Sequence, residues 1–190
     1  MKKLLIIGAG GHGKAIAEAA QLSREYQVVG FLDDAFPELS ESFSFPVLGK
    51  IENAAEFLGL VDTFFVAIGN NALREKVTGA ILSFGGQLVN VIHPAAFVSP
   101  SAQMGQGIAV MAGAIIGTEA LIGDGVVVNV NASVDHHCEL QEFSHLGVGV
   151  SLAGGVKIGR AAWLQAACCA GYGVCVEPYH TYSPGTVLSI

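Results

Sequence analysis

The chain has 190 residues, enough for one large or two small domains, with 13% charged residues and 25 glycines. Such a composition is unlike that of a disordered chain, which combines high charge with low hydrophobicity. The net charge of −7 and the lack of any basic stripe exclude a general nucleic-acid binder, because phosphate contacts need clustered Lys and Arg.

The termini and cysteines favour a cytoplasmic protein. The first residues imitate a signal peptide, but the apolar run that begins at Leu4 ends at Gly8 and is too short for one. No segment reaches the roughly 18 apolar residues that span a bilayer, so we expect no membrane insertion. The four cysteines lack CxxC spacing and a small secreted context, which indicates reduced thiols.

Residues 1–93 alternate between strand and helix patterns. Strands are predicted at residues 4–7, 28–32, 63–68 and 88–92, and helices at residues 12–22, 51–58 and 72–84. This alternation with short connections indicates a parallel sheet with right-handed crossovers. We therefore predict a Rossmann-like α/β domain, built from βαβ units, over residues 1–93.

A glycine-rich turn joins the first strand to the first helix. The segment Gly8-Ala9-Gly10-Gly11-His12-Gly13 matches G-x-G-x-x-G, and Asp33 lies where a dinucleotide fold keeps its ribose-binding acid. Such a turn lets the backbone approach a phosphate at a helix N-terminus. One interpretation of the motif is therefore an NAD-binding oxidoreductase. The domain is short for a complete dinucleotide fold, which favours a mononucleotide or a nucleotide-linked sugar.

The second half has a different pattern, in which an aliphatic residue recurs every six positions from Val98 to Val176. The series is Val98, Met104, Val110, Ile116, Ile122, Val128, Val134, Leu140, Leu146, Leu152, Ile158, Leu164, Ala170 and Val176. A period of six fits neither a helix nor an ordinary strand but does fit a hexapeptide β-helix, with three hexapeptides per triangular coil. We therefore assign residues 94–190 to a parallel β-helix of a little over four coils.

Four segments in order carry a resemblance to a known family. They are Gly8 to Gly13, Phe31-Leu32-Asp33-Asp34, Ile68-Gly69-Asn70-Asn71, and the run from Asp135-His136-His137-Cys138 to Ser144-His145. Together with the hexapeptides they resemble the NeuD/PglD-type bacterial sugar acetyltransferases. That family includes sialic acid O-acetyltransferases and UDP-4-amino-sugar N-acetyltransferases.

The resemblance implies that the N-terminal domain binds a nucleotide-linked sugar and that a left-handed β-helix binds acetyl-CoA. It also implies a homotrimer with active sites between neighbouring prisms. Carried over to this chain, the nucleotide-sugar contacts are Gly10, Gly11, His12, Asp33, Asp34 and Gly69. His145 and Ala166 match positions that contact acetyl-CoA.

A cluster of polar residues, Asp135, His136, His137 and His145, interrupts the otherwise regular repeat of the predicted β-helix. An amine that attacks a thioester must lose a proton, and a neutral histidine accepts one near neutral pH. We therefore predict His136 as the general base, with direct attack rather than an acyl-enzyme. The family commonly has a carboxylate at the next position, whereas this chain has His137. Asp135 or Glu142 then supplies the negative charge, or the base is weaker.

Other functions remain open at the level of sequence. O-acetylation of a sugar such as sialic acid would use the same base, and a catalytically inactive binding trimer is consistent with His137. A metal site is not expected, because His136, His137 and His145 lack the spacing of a zinc site on a β-helix. Our prediction is N-acetylation of a nucleotide-linked amino sugar in surface-glycan biosynthesis.

Overall fold

The computed structural model describes residues 1–189, which form two compact units that divide between Val91 and Ile92. The first unit contains β1 (Lys2–Ile7), α1 (Gly11–Ser23), β2 (Tyr26–Leu32), β3 (Glu41–Ser42), β4 (Phe45–Pro46), a 3-10 helix (Ile51–Phe57), β5 (Thr63–Val66) and α2 (Asn71–Ser83). A parallel sheet with the order β2-β1-β5 lies at its centre.

The central strand β1 is buried along its apolar part, because its four aliphatic residues from Leu4 to Ile7 have no exposed surface. A strand that is buried on both faces reads as a continuous apolar run, as this one does. Helix α1 buries Ile16, Ala17, Ala19 and Ala20, the spacing of a single apolar stripe. It ends at Ser23, and the capping residue that follows, Arg24, adopts the left-handed conformation that commonly closes a helix.

The structure differs from the predicted N-terminal elements in three places. The strand expected at residues 88–92 is instead one isolated bridge between Phe64 and Leu88, followed by β6 (Val91–Ile92), which belongs to a sheet of the β-helix. Helix 51–58 is a 3-10 helix, and the hairpin of β3 and β4 was not predicted. Phe43 and Ser44 make its turn with positive φ angles, which sequence rules reserve mainly for Gly, Asn and Asp.

The second unit is a left-handed parallel β-helix. Its two-residue strands after β6 are β7 (Phe97–Val98), β8 (Gln103–Met104), β9 (Ala109–Val110), β10 (Ile115–Ile116), β11 (Leu121–Ile122), β12 (Val127–Val128), β13 (Ser133–Val134), β14 (Glu139–Leu140), β15 (His145–Leu146), β16 (Ser151–Leu152), β17 (Lys157–Ile158), β18 (Trp163–Leu164), β19 (Cys169–Ala170), β20 (Cys175–Val176), β21 (Thr181–Tyr182) and β22 (Val187–Leu188).

The register of the coils confirms the predicted period of six. Ile115 pairs with Phe97 on one side and Ser133 on the other, so strands that are 18 residues apart stack into one wall. The aliphatic series fills the interior, and the small residues that follow each corner, such as Ala132, Cys138 and Cys168, are fully buried. Tyr182 and Leu188 extend the interior packing beyond Val176, so the repeat is longer than predicted.

Candidate active site

The histidine pair lies at a corner of the β-helix, between β13 and β14. Residues 136 and 137 form a turn, and His137 has a φ of 57°, in the left-handed region. The sequence had suggested wall positions for this pair, which is wrong. A corner projects both rings away from the apolar interior, and each side chain is about half-exposed.

Three side chains form a continuous hydrogen-bonded row at this corner. Nδ1 of His136 lies 2.8 Å from Nδ1 of His137, and the two rings are almost perpendicular at 87°. Nε2 of His137 lies 2.8 Å from Oε2 of Glu119. The row therefore runs from a carboxylate through one imidazole to the next, and Nε2 of His136 is its outer end.

Glu119 reaches His137 because the two residues occupy the same corner in successive coils. They are 18 residues apart, and Glu119 has the same φ of 57°. The backbone N–H of His137 donates to the carbonyl oxygen of Thr118 at 2.9 Å, which fixes the two corners one above the other. Sequence reasoning missed Glu119, although subtracting one coil from position 137 finds it.

The two carboxylates considered from sequence have other roles. Oδ1 of Asp135 accepts the backbone N–H of His136 at 2.7 Å, and its Oδ2 lies 4.0 Å from Nε2 of that ring. Asp135 therefore stabilises the turn and stands near the outer nitrogen. Glu142 pairs instead with Arg160 at 3.0 Å. The carboxylate that contacts the histidine pair directly is Glu119.

A glycine in the next coil provides the surface on which the His136 ring lies. A Cβ atom at Gly154 would stand 2.5 Å from Cε1 and 2.7 Å from Nε2 of His136, which is too close for non-bonded atoms. Gly154 therefore gives the imidazole room to lie against the adjacent coil. The backbone N–H of Gly155 donates to the carbonyl oxygen of His136 at 2.9 Å and holds the two coils in register.

The two predicted coenzyme contacts lie elsewhere on the β-helix. His145 belongs to β15 on another wall, is 7% exposed, and stacks on Trp163 with ring centroids 5.3 Å apart. Ala166 is exposed in the turn between β18 and β19. His145 therefore does not join His136 and His137 at their corner of the β-helix. Among residues 1–189 no group of three His, Cys, Asp or Glu side chains is arranged to hold a metal ion.

The glycine turn of the N-terminal unit combines structural and open positions. Gly8 has a φ of 102°, and a Cβ there would lie 2.8 Å from the carbonyl oxygen of Ala67. A Cβ at Gly13 would collide with the carbonyl oxygen of Gly8, so both glycines are needed for packing. By contrast, Gly10, Gly11 and Gly69 have open space in front of them. These three are positions where a ligand can approach the backbone.

The two aspartates after β2 hold the loops around this turn. The carboxylate of Asp33 accepts backbone N–H groups from Ala9 at 2.7 Å and from Ala35 at 3.0 Å. Asp33 therefore ties the glycine turn to the loop after β2. Asp34 is exposed, and its Oδ1 accepts the N–H of Ile51 at 3.2 Å.

A buried cation lies close to His12. Arg74 is 1% exposed and donates from Nη1 to the carbonyl oxygen of Ile68 at 2.9 Å and from Nη2 to Oδ1 of Asn71 at 2.9 Å. Burial lowers the pKa of Arg74 to about 10. Burial, and then the charge of Arg74, lower the pKa of His12 to about 4, so His12 is neutral at neutral pH. Its buried Nε2 has no hydrogen-bond partner among the described residues.

The fold and these two groups of residues define a two-unit hexapeptide acyltransferase, and comparison with known proteins agrees. Residues 3–81 match the PglD N-terminal domain family. The acetyltransferase domain of PglB from Neisseria gonorrhoeae, solved with acetyl coenzyme A, is 36% identical with a TM-score of 0.93, over 99% of this chain and 93% of that one.

Two further relatives are named as N-acetyltransferases of sugar nucleotides. A histidine-to-alanine mutant of GDP-perosamine N-acetyltransferase from Caulobacter crescentus, solved with CoA and GDP-perosamine, is 35% identical, with a TM-score of 0.93, over 100% of this chain and 91% of that one. UDP-N-acetylbacillosamine N-acetyltransferase from Bacillus subtilis (strain 168) is 32% identical over 114 residues, 59% of this chain and 52% of that protein, so the match spans about half of that relative.

The chain belongs to the NeuD/PglD-type family of sugar acetyltransferases. Among residues 1–189 no helix is long and apolar enough to cross a membrane.

Proposed function

We propose that this protein transfers an acetyl group from acetyl-CoA to the amino group of a nucleotide-linked amino sugar, in surface-glycan biosynthesis. The observation that carries the proposal is the position of His136, whose Nε2 is the nitrogen left at the far end of the row from Glu119 on a half-exposed side chain. Two of the relatives described above are N-acetyltransferases named for a nucleotide-linked sugar, GDP-perosamine in one and UDP-N-acetylbacillosamine in the other, which supports an acceptor of this chemical class.

The reaction needs one base and one well-placed pair of substrates. The amino nitrogen attacks the thioester carbonyl carbon, and Nε2 of His136 takes the proton that the amine loses. The carbon–sulfur bond then breaks, the CoA sulfur leaves with the electron pair, and the proton passes to it as free CoA thiol. A positioned base of this kind contributes roughly 10²- to 10⁴-fold. Holding the amine and thioester together supplies much of the remaining acceleration.

The N-terminal unit is the proposed site for the nucleotide part of the acceptor. The open backbone at Gly10, Gly11 and Gly69 leaves room for phosphate and sugar, and free N–H groups at the start of α1 favour an anion. We assign the nucleotide base and ribose to the side of Asp33 and Asp34. His12, neutral and next to a buried arginine, completes this group.

We place acetyl-CoA along the β-helix, with contacts at His145 and Ala166, and assign the protein to the cytoplasm as a homotrimer. The exposed apolar side chains of Phe97, Ile115 and Leu121 on its walls support an association between copies. Sedimentation at micromolar concentration tests this directly. A monomer would contradict an active site that is shared between subunits.

The base assignment is tested by His136→Ala and His136→Gln. We expect kcat to fall by about 10²- to 10⁴-fold while both substrates still bind, as measured by calorimetry. Because the side chain is half-exposed and lies outside the apolar interior, thermal unfolding should match that of the wild type. Near-normal turnover by either folded variant would exclude His136 as the base.

A further inference from the structure

We infer that Glu119 and His137 are positioning residues that fix the tautomer of His136 and so leave its Nε2 free to accept a proton. The inference rests on the proposed function, since it concerns the base of that reaction. It is carried by the two contacts of 2.8 Å that link the carboxylate to the first ring and the first ring to the second.

The assignment follows from counting donors and acceptors. An ionised carboxylate only accepts hydrogen bonds, so Nε2 of His137 must carry the proton that points at Glu119. The Nδ1 of a neutral His137 is then an acceptor, and Nδ1 of His136 must carry the proton between the rings. In a neutral His136 this leaves Nε2 with a lone pair, which is the state that a general base needs.

The same row stabilises the product of proton transfer. When Nε2 of His136 gains a proton, the imidazolium remains hydrogen-bonded through His137 to the negative charge of Glu119. Asp135 contributes as a second carboxylate, with its Oδ2 4.0 Å from Nε2. Its other oxygen accepts the backbone N–H of His136, and a separation of 4.0 Å from Nε2 is too long for a hydrogen bond to the ring, so we do not assign the choice of tautomer to Asp135.

The carboxylate of this row does not directly follow the base in sequence. The corner at position 137 carries an imidazole, and the carboxylate occupies the same corner one coil earlier, at position 119. Glutamate fits this type of corner, since Glu119 itself adopts a φ of 57°, the value found at His137. A glutamate at position 137 is therefore sterically allowed, which makes a rescue experiment possible.

The kinetic test uses Glu119→Ala with Glu139→Gln as the matched control. Glu139 is a partly exposed carboxylate of the next strand and pairs with Lys157 at 2.8 Å, away from the histidine row. We expect Glu119→Ala to lower kcat by about 10- to 100-fold, a part of the roughly 10²- to 10⁴-fold that a positioned base contributes, with little change in KM for either substrate. Glu139→Gln should keep the wild-type kcat. The double variant Glu119→Ala with His137→Glu should regain most of the lost rate, because its new carboxylate stands beside His136.

The spectroscopic test does not depend on turnover. In protein with 15N-labelled histidine, long-range 1H–15N correlations report which ring nitrogen carries the proton. We expect neutral His136 to be protonated at Nδ1 in the wild type and in Glu139→Gln, and to lose that preference in Glu119→Ala. A merely structural role for Glu119 would not change the tautomer.

The two tests separate the inference from the proposed function. Wild-type kcat and an unchanged His136 tautomer in Glu119→Ala would overturn the inference, and so would a double variant that stays as slow as Glu119→Ala. A wild-type protein without transferase activity, but with a tautomer that depends on Glu119, would overturn the proposed function and support the tautomer assignment.

Discussion

Replacing Gly154 with alanine should impair catalysis without unfolding the β-helix. The new Cβ would lie 2.5 Å from Cε1 and 2.7 Å from Nε2 of His136, whereas ordinary contacts begin near 3.4 Å. The ring must therefore move by about 1 Å or rotate away, and a misplacement of that size costs about 100-fold in rate. Gly154 does not need a positive φ, so the backbone itself accepts alanine.

The assay is steady-state acetyl transfer together with thermal unfolding. We expect kcat to fall by about 100-fold in Gly154→Ala while the unfolding temperature stays close to that of the wild type, because the displaced ring is half-exposed. Gly171→Ala is the matched control, since a Cβ there would meet only the carbonyl oxygen of Leu188 at 3.5 Å. A fully active Gly154→Ala would refute the idea that the position of the His136 ring over this coil matters for the reaction.

Three further predictions concern the N-terminal unit. Because the pKa of His12 is about 4 in the fold and 6.5 ordinarily, the unfolded state binds more protons between these pH values. Stability is therefore complete above pH 6.5 and falls by about 2 kcal/mol by about pH 5, as urea unfolding should show, and His12→Gln should remove most of this dependence. Arg74→Met should destabilise the unit by about 2–4 kcal/mol in the same assay, because it leaves buried acceptors such as the carbonyl oxygen of Ile68 without their donor. Asp33→Asn should cost about 1–3 kcal/mol, because an amide cannot accept both N–H groups that the carboxylate accepts, and an unchanged stability would contradict this role.

The β-helix was predictable because its period is long and regular. Each interior position from Val98 onward repeats after six residues, and no other secondary structure has that period. Its ends were less visible. At the N-terminal end, Ile92 already belongs to the first coil, but His93 and Pro94 follow it and break the repeat pattern. At the C-terminal end, Tyr182 occupies an interior position where the repeat has an aliphatic residue. The short β3–β4 hairpin was missed because strands of two residues carry almost no pattern.

The candidate site was only partly predictable. His136 and His137 stand out in sequence as polar residues in an apolar repeat, and the structure brings them into contact. Their third partner, Glu119, lies in an ordinary hexapeptide, and it is found from the sequence only when residues 18 positions apart are compared as neighbours in successive coils. The role of Gly154 depends equally on the preceding coil, which carries His136, because nothing in the hexapeptide of Gly154 itself indicates a neighbouring imidazole.

Acetyl transfer to an amino sugar can be measured as the release of free CoA from acetyl-CoA, detected with a thiol reagent. The acceptors are UDP-, GDP- and dTDP-linked amino sugars, with free sialic acid as the hydroxyl acceptor. We expect turnover with at least one nucleotide-linked amino sugar, and its loss in His136→Ala. Turnover with sialic acid alone, or no CoA release with any acceptor on the panel, would contradict this expectation.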